Sequence, residues 1–295
     1  MVVEKSGGIT RGEVLPARLA PDNIDATVGV ALFPEHGRNY AELIRAADVA
    51  MYAGKEEKRS KVRLFDPALS RRLVEHHLLE QALREAISAG TLSLVFEPII
   101  VAPSGRCGAM EALLRWNHPE YGTVPPSTFI PLAERTGDIL SVGRWALREA
   151  CREAASWPSR QPPAVSVNIS ATQILSDRFT SDVFSALVDA GLPAHRLQLE
   201  LTETQFAGDD AAASAVLTEL RRSGIRVALD DFGTGFSSLS YLRNLPIDSV
   251  KIDQSFVAAV HTDSRPIVKA ILTTAEALGL ETIAEGIETL DRPKR

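Results

Sequence analysis

An α/β fold organised as a (β/α) barrel is predicted for most of this chain, and two features of the sequence carry that expectation. From Leu92 onward, short apolar runs alternate with longer helix-compatible segments, several of which end in Gly plus Leu or Ile just before the next run. The apolar runs themselves close on acidic or amide residues, where a barrel gathers its functional groups. Strands alternating with helices imply parallel units, and this many over roughly two hundred residues close into a barrel more readily than they spread into an open sheet.

The 295 residues suffice for one large domain and a smaller piece, and 45% hydrophobic with 24% charged residues suits a globular core. A formal net charge of -6 argues against a nucleic-acid polymer as partner, but small anions stay open because a metal can bridge like charges. Cys107 and Cys151 follow no metal-binding or CxxC spacing, which fits free thiols used for packing in a reducing compartment. No apolar run has the length to span a bilayer, and residues 1–20 carry Glu4, Arg11, Glu13 and Arg18 where a signal peptide needs an apolar core. A cytoplasmic location is expected.

Residues 1–23 are interrupted by Gly, Pro and charge and are expected to form a loop or weak structure. DATVGVALFP alternates as a strand does, PEHGRN supplies a turn, and YAELIRAADVAMYAGKE has near-helical apolar spacing. Residues 67–90 form a connector helix with Leu79, Leu83, Ala86 and Ile87 on one side. The candidate barrel strands are 92–100, 108–116, 164–170, 196–204, 225–231, 248–253 and 281–286, seven where a closed barrel of this type has eight. ILSVGRWALREACREAASW and DDAAASAVLTELRRSG are helix-compatible segments between them.

Glu111, Asn168, Glu200, Asp230, Asp231, Lys251 and Glu285 fall near the ends of these strands. Any single acid there reads as an N-cap for the following helix, but joint occurrence on six strands argues for one shared mouth. Oxygen ligands without His or Cys suit Mg²⁺ or Mn²⁺ rather than zinc. The adjacent pair Asp230 and Asp231 suits two ions held close together, and Lys251 could hold a water or a phosphate oxygen, so the expected chemistry is attack of an activated water on phosphorus. Gly233 and Gly235 read equally as a plain turn or a phosphate loop. His118 is expected in a loop, and His76 and His77 on the connector helix without a ligand role. Arg115 and Trp116 read as core edge and strand end, although Arg115 would also suit a phosphate oxygen.

Seven ordered motifs, EALLRW (111–116), PSTFIPLAE (126–134), SVNIS (166–170), ELTET (200–204), DDFGTGFSSLSYL (230–242), VKID (250–253) and AEGIE (284–288), resemble the EAL-domain phosphodiesterases of bacterial cyclic di-GMP signalling. The resemblance covers residues 92–288 and implies a TIM-like (β/α) barrel with an irregular first strand. It implies two metal ions held by Glu111, Asn168, Glu200 and Asp230 and by Asp230 with Asp231, Lys251 orienting the attacking water, and Glu285 as base or second-site partner. Arg115 resembles the substrate-phosphate contact, Leu113 the apolar residue beside it, and Glu203 the brace of the loop after DDFG. The implied reaction is hydrolysis of cyclic di-GMP to linear pGpG with Mg²⁺ or Mn²⁺, Ca²⁺ being inhibitory, in a homodimer formed through the EAL domain.

Residues 24–66 resemble the C-terminal end of a GGDEF domain, through TVGVALFPEHG and LIRAADVAMYAGKEEKRSKVRLF, without its signature loop. The expected organisation is an incomplete GGDEF-like remnant at 1–66, a connector helix at 67–90 and an EAL domain at 91–295 that lacks its last strand and helix. Two departures from the family, Glu97 where it usually has Gln and the short ending ETLDRPKR, keep open a catalytically weak or inactive cyclic di-GMP-binding module. A metal-dependent barrel enzyme of the enolase type is a third, weaker reading.

Overall fold

A computed structural model describes residues 2–4, 27–56, 62–102, 104–159, 161–202, 211–233, 242, 244–259 and 264–287. The chain divides into two compact units, Met1–Ala82 and Leu83–Arg295. In the first unit, strands β1 (Val2–Glu4), β2 (Val28–Phe33) and β3 (Val62–Leu64) form a parallel sheet with β2 in the middle. Val2–Glu4 is thus a short strand within the stretch expected as loop or weak structure, because pairing with Ala31–Phe33 organises three residues too few to show a period of their own. Helix α1 (Tyr40–Glu56) starts on Asn39, whose side-chain oxygen accepts from the Glu42 amide at 3.0 Å. Its small face, Ala46, Ala47, Ala50 and Ala53, is buried, and Gly29 of β2 has no room for a side chain against the backbone of Ala47.

Helix α2 (Pro67–Ala86) contains the division between the units, and within the second unit Leu83 and Ala86 are buried as the apolar stripe predicts. Then follow β4 (Leu92–Val101), β5 (Arg106–His118), β6 (Gly122–Val124), α3 (Pro126–Thr136) and α4 (Ile139–Ser156). After them come β7 (Ala164–Asn168), α5 (Ala171–Ile174), α6 (Phe179–Ala190), β8 (Leu197–Thr202), α7 (Ala211–Arg222) and β9 (Arg226–Phe232). The last described elements are β10 (Ser249–Ile252), α8 (Gln254–Ala258), α9 (Arg265–Leu278) and β11 (Glu281–Ala284). All seven candidate strands are present, with ends differing from the sequence boundaries by a few residues.

The hydrogen-bonded order among the described residues is β11-β10-β9-β8-β7-β5-β4, with β6 paired to β5. Pairs from β5 through β7, β8, β9 and β10 to β11 are parallel, whereas β4 runs antiparallel to β5. The sheet curls strongly. Three strands separate β5 from β10, so a flat sheet would hold them roughly 19 Å apart at the usual strand spacing. Glu111 of β5 nevertheless accepts from Lys251 of β10 at 3.0 Å. With helices packed on its outer face, this mixed sheet is a TIM-like α/β fold.

Three connections share one stop signal. Gly191, Gly224 and Gly279 take left-handed backbone after α6, α7 and α9. The next residue's amide then reaches back to the helix: Leu192 to Leu187 O at 3.0 Å, Ile225 to Leu220 O at 3.2 Å and Leu280 to Ala275 O at 2.9 Å. Leu192 and Ile225 are buried, so the residue that closes the helix also anchors the chain at the entry to the next strand. Trp116 is fully buried, donates to Thr91 Oγ1 at 3.2 Å and meets Phe129 edge-on, so the last residue of EALLRW belongs to the core. His118, expected in a loop, ends β5, where its Nδ1 accepts from the amides of Glu120 and Tyr121.

Ser249 lies fully buried in β10, and its hydroxyl has no hydrogen-bond partner among the described residues. Removing an unsatisfied buried hydroxyl relieves a desolvation cost, so Ser249→Ala is expected to stabilise the protein by about 1 kcal/mol in urea unfolding. A destabilisation of that size would instead reveal a buried water bonded to the hydroxyl.

Candidate metal centre

Side chains alternate along a strand, and alternation decides which of them share the inner face. Asn168 of β7 lies in register with Glu200 of β8, and Glu111 of β5 with Ser166 of β7. Asn168 donates from Nδ2 to Glu111 Oε1 at 2.8 Å. Glu285 lies just past the end of β11, yet its amide still donates to Ile252 O at 3.1 Å, which holds it beside β10.

Asp230 and Asp231 present a problem, because neighbours in a regular strand point to opposite faces. The pairing of β9 with β10 matches Leu229 to Val250 and then Phe232 to Ile252, so two aspartates stand opposite the single residue Lys251. This is a β-bulge, and Asp231 takes it up with φ of 55°, the left-handed region that Asp tolerates better than most residues. The bulge also keeps strand phase: Leu229 and Phe232 both stay buried in the core while the extra residue joins the mouth. The Asp231 amide donates to Asp230 Oδ1 at 2.9 Å and fixes that carboxylate.

Lys251 sits at the centre. Its Nζ lies 3.0 Å from Glu111 Oε2, 2.8 Å from Glu200 Oε2, 3.1 Å from Asp230 Oδ2 and 2.7 Å from Glu285 Oε1. The lysine side chain is 2% exposed and that of Glu200 0%, so these charges meet largely out of water. Burial works against the charged lysine, but Glu200, Asp230, Glu111 and Glu285 outweigh it and hold the ammonium above its ordinary range. Burial, opposed by Lys251, pushes Glu200 and Glu285 up to about 7. Burial and the neighbouring Asp230 also raise Asp231.

Negative groups outnumber the one ammonium, and their placement suits cations. Glu111, Glu200 and Asp230 form one group, and Asp230, Asp231 and Glu285 a second, each offering ligand oxygens within 4.8 Å of one another. The groups share Asp230. Every donor is a hard oxygen, and Asn168 adds an amide oxygen, so the set fits Mg²⁺ or Mn²⁺.

Leu113 and Arg115 lie on the same face of β5 as Glu111, spaced by two residues each. Opposite them on β4 stand Val95 and Ser93, and Glu97 faces Glu111 directly, so its exposed carboxylate extends the acidic mouth. Asp253, by contrast, follows the bland reading of an acid at a strand end: it caps α8, accepting from the Ser255 amide at 3.0 Å. Glu203 and Gly235 lie outside the described residues. Sequence reasoning missed Ser166 and Gln198, both buried and bonded to Glu200. Their signal was available: they are polar residues at inner-face positions of otherwise apolar strands, two residues before Asn168 and Glu200.

The EAL domain family model matches residues 80–292. An uncharacterized signaling protein of Caulobacter vibrioides is 40% identical over 266 residues, 90% of this chain and 33% of the relative. The cyclic di-GMP phosphodiesterase PdeR of Escherichia coli is 39% identical over 266 residues, 89% of this chain and 40% of the relative. The bifunctional diguanylate cyclase/cyclic di-GMP phosphodiesterase MucR of Pseudomonas aeruginosa is 38% identical over 270 residues, 90% and 39% respectively. The chain thus spans 33% to 40% of the length of these relatives. Among solved structures, the PaMucR phosphodiesterase in complex with c-di-GMP has a TM-score of 0.69 and 39% identity, covering 72% of this chain and 88% of that one.

The raised carboxylates set a pH signature. Because the folded pKa of Glu200 and Glu285 is about 7, against roughly 4.3 for an unfolded glutamate, the native state holds more protons between those values. Metal-free stability should therefore fall as pH rises from about 4.3 to 7. A divalent cation needs both groups ionised, so the rise in melting temperature on adding Mn²⁺ should grow across the same window and level off above it. Thermal melts from acid to mildly alkaline pH, with and without Mn²⁺, check this, and a pH-independent Mn²⁺ effect would contradict it.

Proposed function

Because this chain belongs to the EAL-domain family, we propose that it hydrolyses cyclic di-GMP to linear pGpG with two divalent ions, Mg²⁺ or Mn²⁺. The observation that supports this most is the pair of overlapping carboxylate groups, sharing Asp230, around the buried ammonium of Lys251. Glu111, Asn168, Glu200 and Asp230 would hold one ion, and Asp230 with Asp231 the other. Such ions supply positive charge that makes water more acidic and offsets charge on the phosphoryl oxygens.

The chain's own residues account for the remaining roles. Lys251 donates hydrogen bonds toward the attacking water or a phosphoryl oxygen, and its four carboxylate neighbours keep it charged. Glu285, more exposed than Glu200 and 2.7 Å from Lys251 Nζ, would take a proton from that water. The water oxygen then bonds phosphorus, the P–O3′ bond breaks, and the leaving 3′ oxygen gains a proton. Arg115 grips a substrate phosphate on the β4–β5 wall, with Leu113 and Val95 giving an apolar surface beside it.

This reading places the protein in the cytoplasm, where Cys107 and Cys151 would stay reduced. It extends to a homodimer through the EAL domain. It also takes residues 1–66 as GGDEF-like, supported by the parallel strand-helix-strand of β2, α1 and β3.

Incubation with cyclic di-GMP and Mn²⁺ should yield linear product, and Glu111→Ala should lose on the order of a hundredfold in kcat/KM. Replacing Mn²⁺ by Ca²⁺ should suppress turnover. Binding without turnover by the wild type would favour a receptor instead, and equal rates for wild type and Glu111→Ala would place the chemistry elsewhere. Glu97→Gln removes a like charge beside Glu111, and the KM for the anionic substrate should fall about two- to fivefold at low salt, less at high salt.

A further inference from the structure

Glu200 is held from behind by two residues that, among the described residues, hydrogen-bond no other acidic side chain of the mouth. Ser166 of β7 and Gln198 of β8 are register partners, 0% and 5% exposed, and both share the inner face with Glu200. The Ser166 hydroxyl donates to Glu200 Oε1 at 2.5 Å. Gln198 Nε2 donates to the same Oε1 at 3.2 Å and to Ser166 Oγ at 3.0 Å. The hydroxyl has one proton, spends it on Glu200, and is itself fixed in direction by accepting from the amide. Oε1 is therefore occupied by two buried donors, whereas Oε2 faces the mouth, 2.8 Å from Lys251 Nζ.

We propose that Ser166 and Gln198 are positioning residues that commit Oε1 of Glu200 to the protein and leave Oε2 as its single oxygen for a divalent cation. This rests on the two-ion reading above. A glutamate with both oxygens free could rotate and take a cation through two oxygens or turn away from the mouth. With one oxygen locked, the carboxylate plane is set before the cation arrives, which removes an ordering cost from binding. Mg²⁺ gains most from this, because it demands near-ideal octahedral geometry and disfavours the two-oxygen grip that Ca²⁺ accepts.

The test measures Mn²⁺ and Mg²⁺ affinity by calorimetry on the full chain, for wild type, Ser166→Ala, Ser166→Cys, Gln198→Leu and Glu200→Gln. Ser166→Ala and Gln198→Leu should bind about 10- to 100-fold more weakly. Ser166→Cys, which keeps a weak donor of similar size, should fall between and serves if the alanine variant folds poorly. In turnover assays, the metal concentration for half-activation should rise by the same factor while kcat at saturating metal stays closer to wild type. Wild type that binds no divalent cation, or binds it as well after Glu200→Gln, overturns the two-ion reading and this inference with it. Wild type that binds, Glu200→Gln that binds weakly, and Ser166→Ala and Gln198→Leu that match wild type would overturn this inference alone, leaving the pair as packing for a buried acid.

Discussion

The structure is organised around a surplus of negative charge placed where strands end. Glu111, Glu200, Asp230 and Glu285 converge on one ammonium, and no arrangement of uncharged residues could hold them so close. Lys251 does so by lying opposite the bulge in β9, at the point where the curled sheet brings β5 and β10 together. The curl and the charge cluster support one another: the sheet aims the acids inward, and the lysine ties four strand ends across the mouth.

Everything beneath the mouth keeps those ends in place. The glycine-terminated helices drop a buried Leu or Ile at the entry to the next strand, which fixes where β8 and β9 begin and hence which residues reach the top. At the lower rim, Arg221 grips Asp248 through both Nε and Nη2, and Asp248 also accepts from the Val227 amide at 2.8 Å, setting the start of β10 against β9. These contacts are remote from the acids, yet a shift of one residue in either strand would turn its inner-face groups outward.

Much of this was legible in the sequence because it follows from short-range rules. The strands, the Gly-Leu and Gly-Ile stops and the acid-bearing ends each depend on a few consecutive residues. Features that depend on partners distant in the chain were less so. Val2–Glu4 becomes a strand only through its partner β2. The bulge at Asp231 depends on cross-strand register, although the Asp-Asp pair hinted at it. Ser166 and Gln198 show in the sequence only as polar breaks in apolar strands, and their joint hold on Glu200 depends on the register of β7 against β8. The pairing of Glu97 with Glu111 likewise needs the antiparallel register of β4 on β5, which no local pattern specifies.

The bulge in β9 decides how many carboxylates the mouth holds. Without Asp231, Leu229, Asp230 and Phe232 would alternate regularly, and the ladder to β10 would close with only the first carboxylate group complete. One extra residue, absorbed locally by left-handed backbone, adds a carboxylate without disturbing the core on either side. The second carboxylate group thus depends on a single extra residue, because the sheet confines the disturbance to that position.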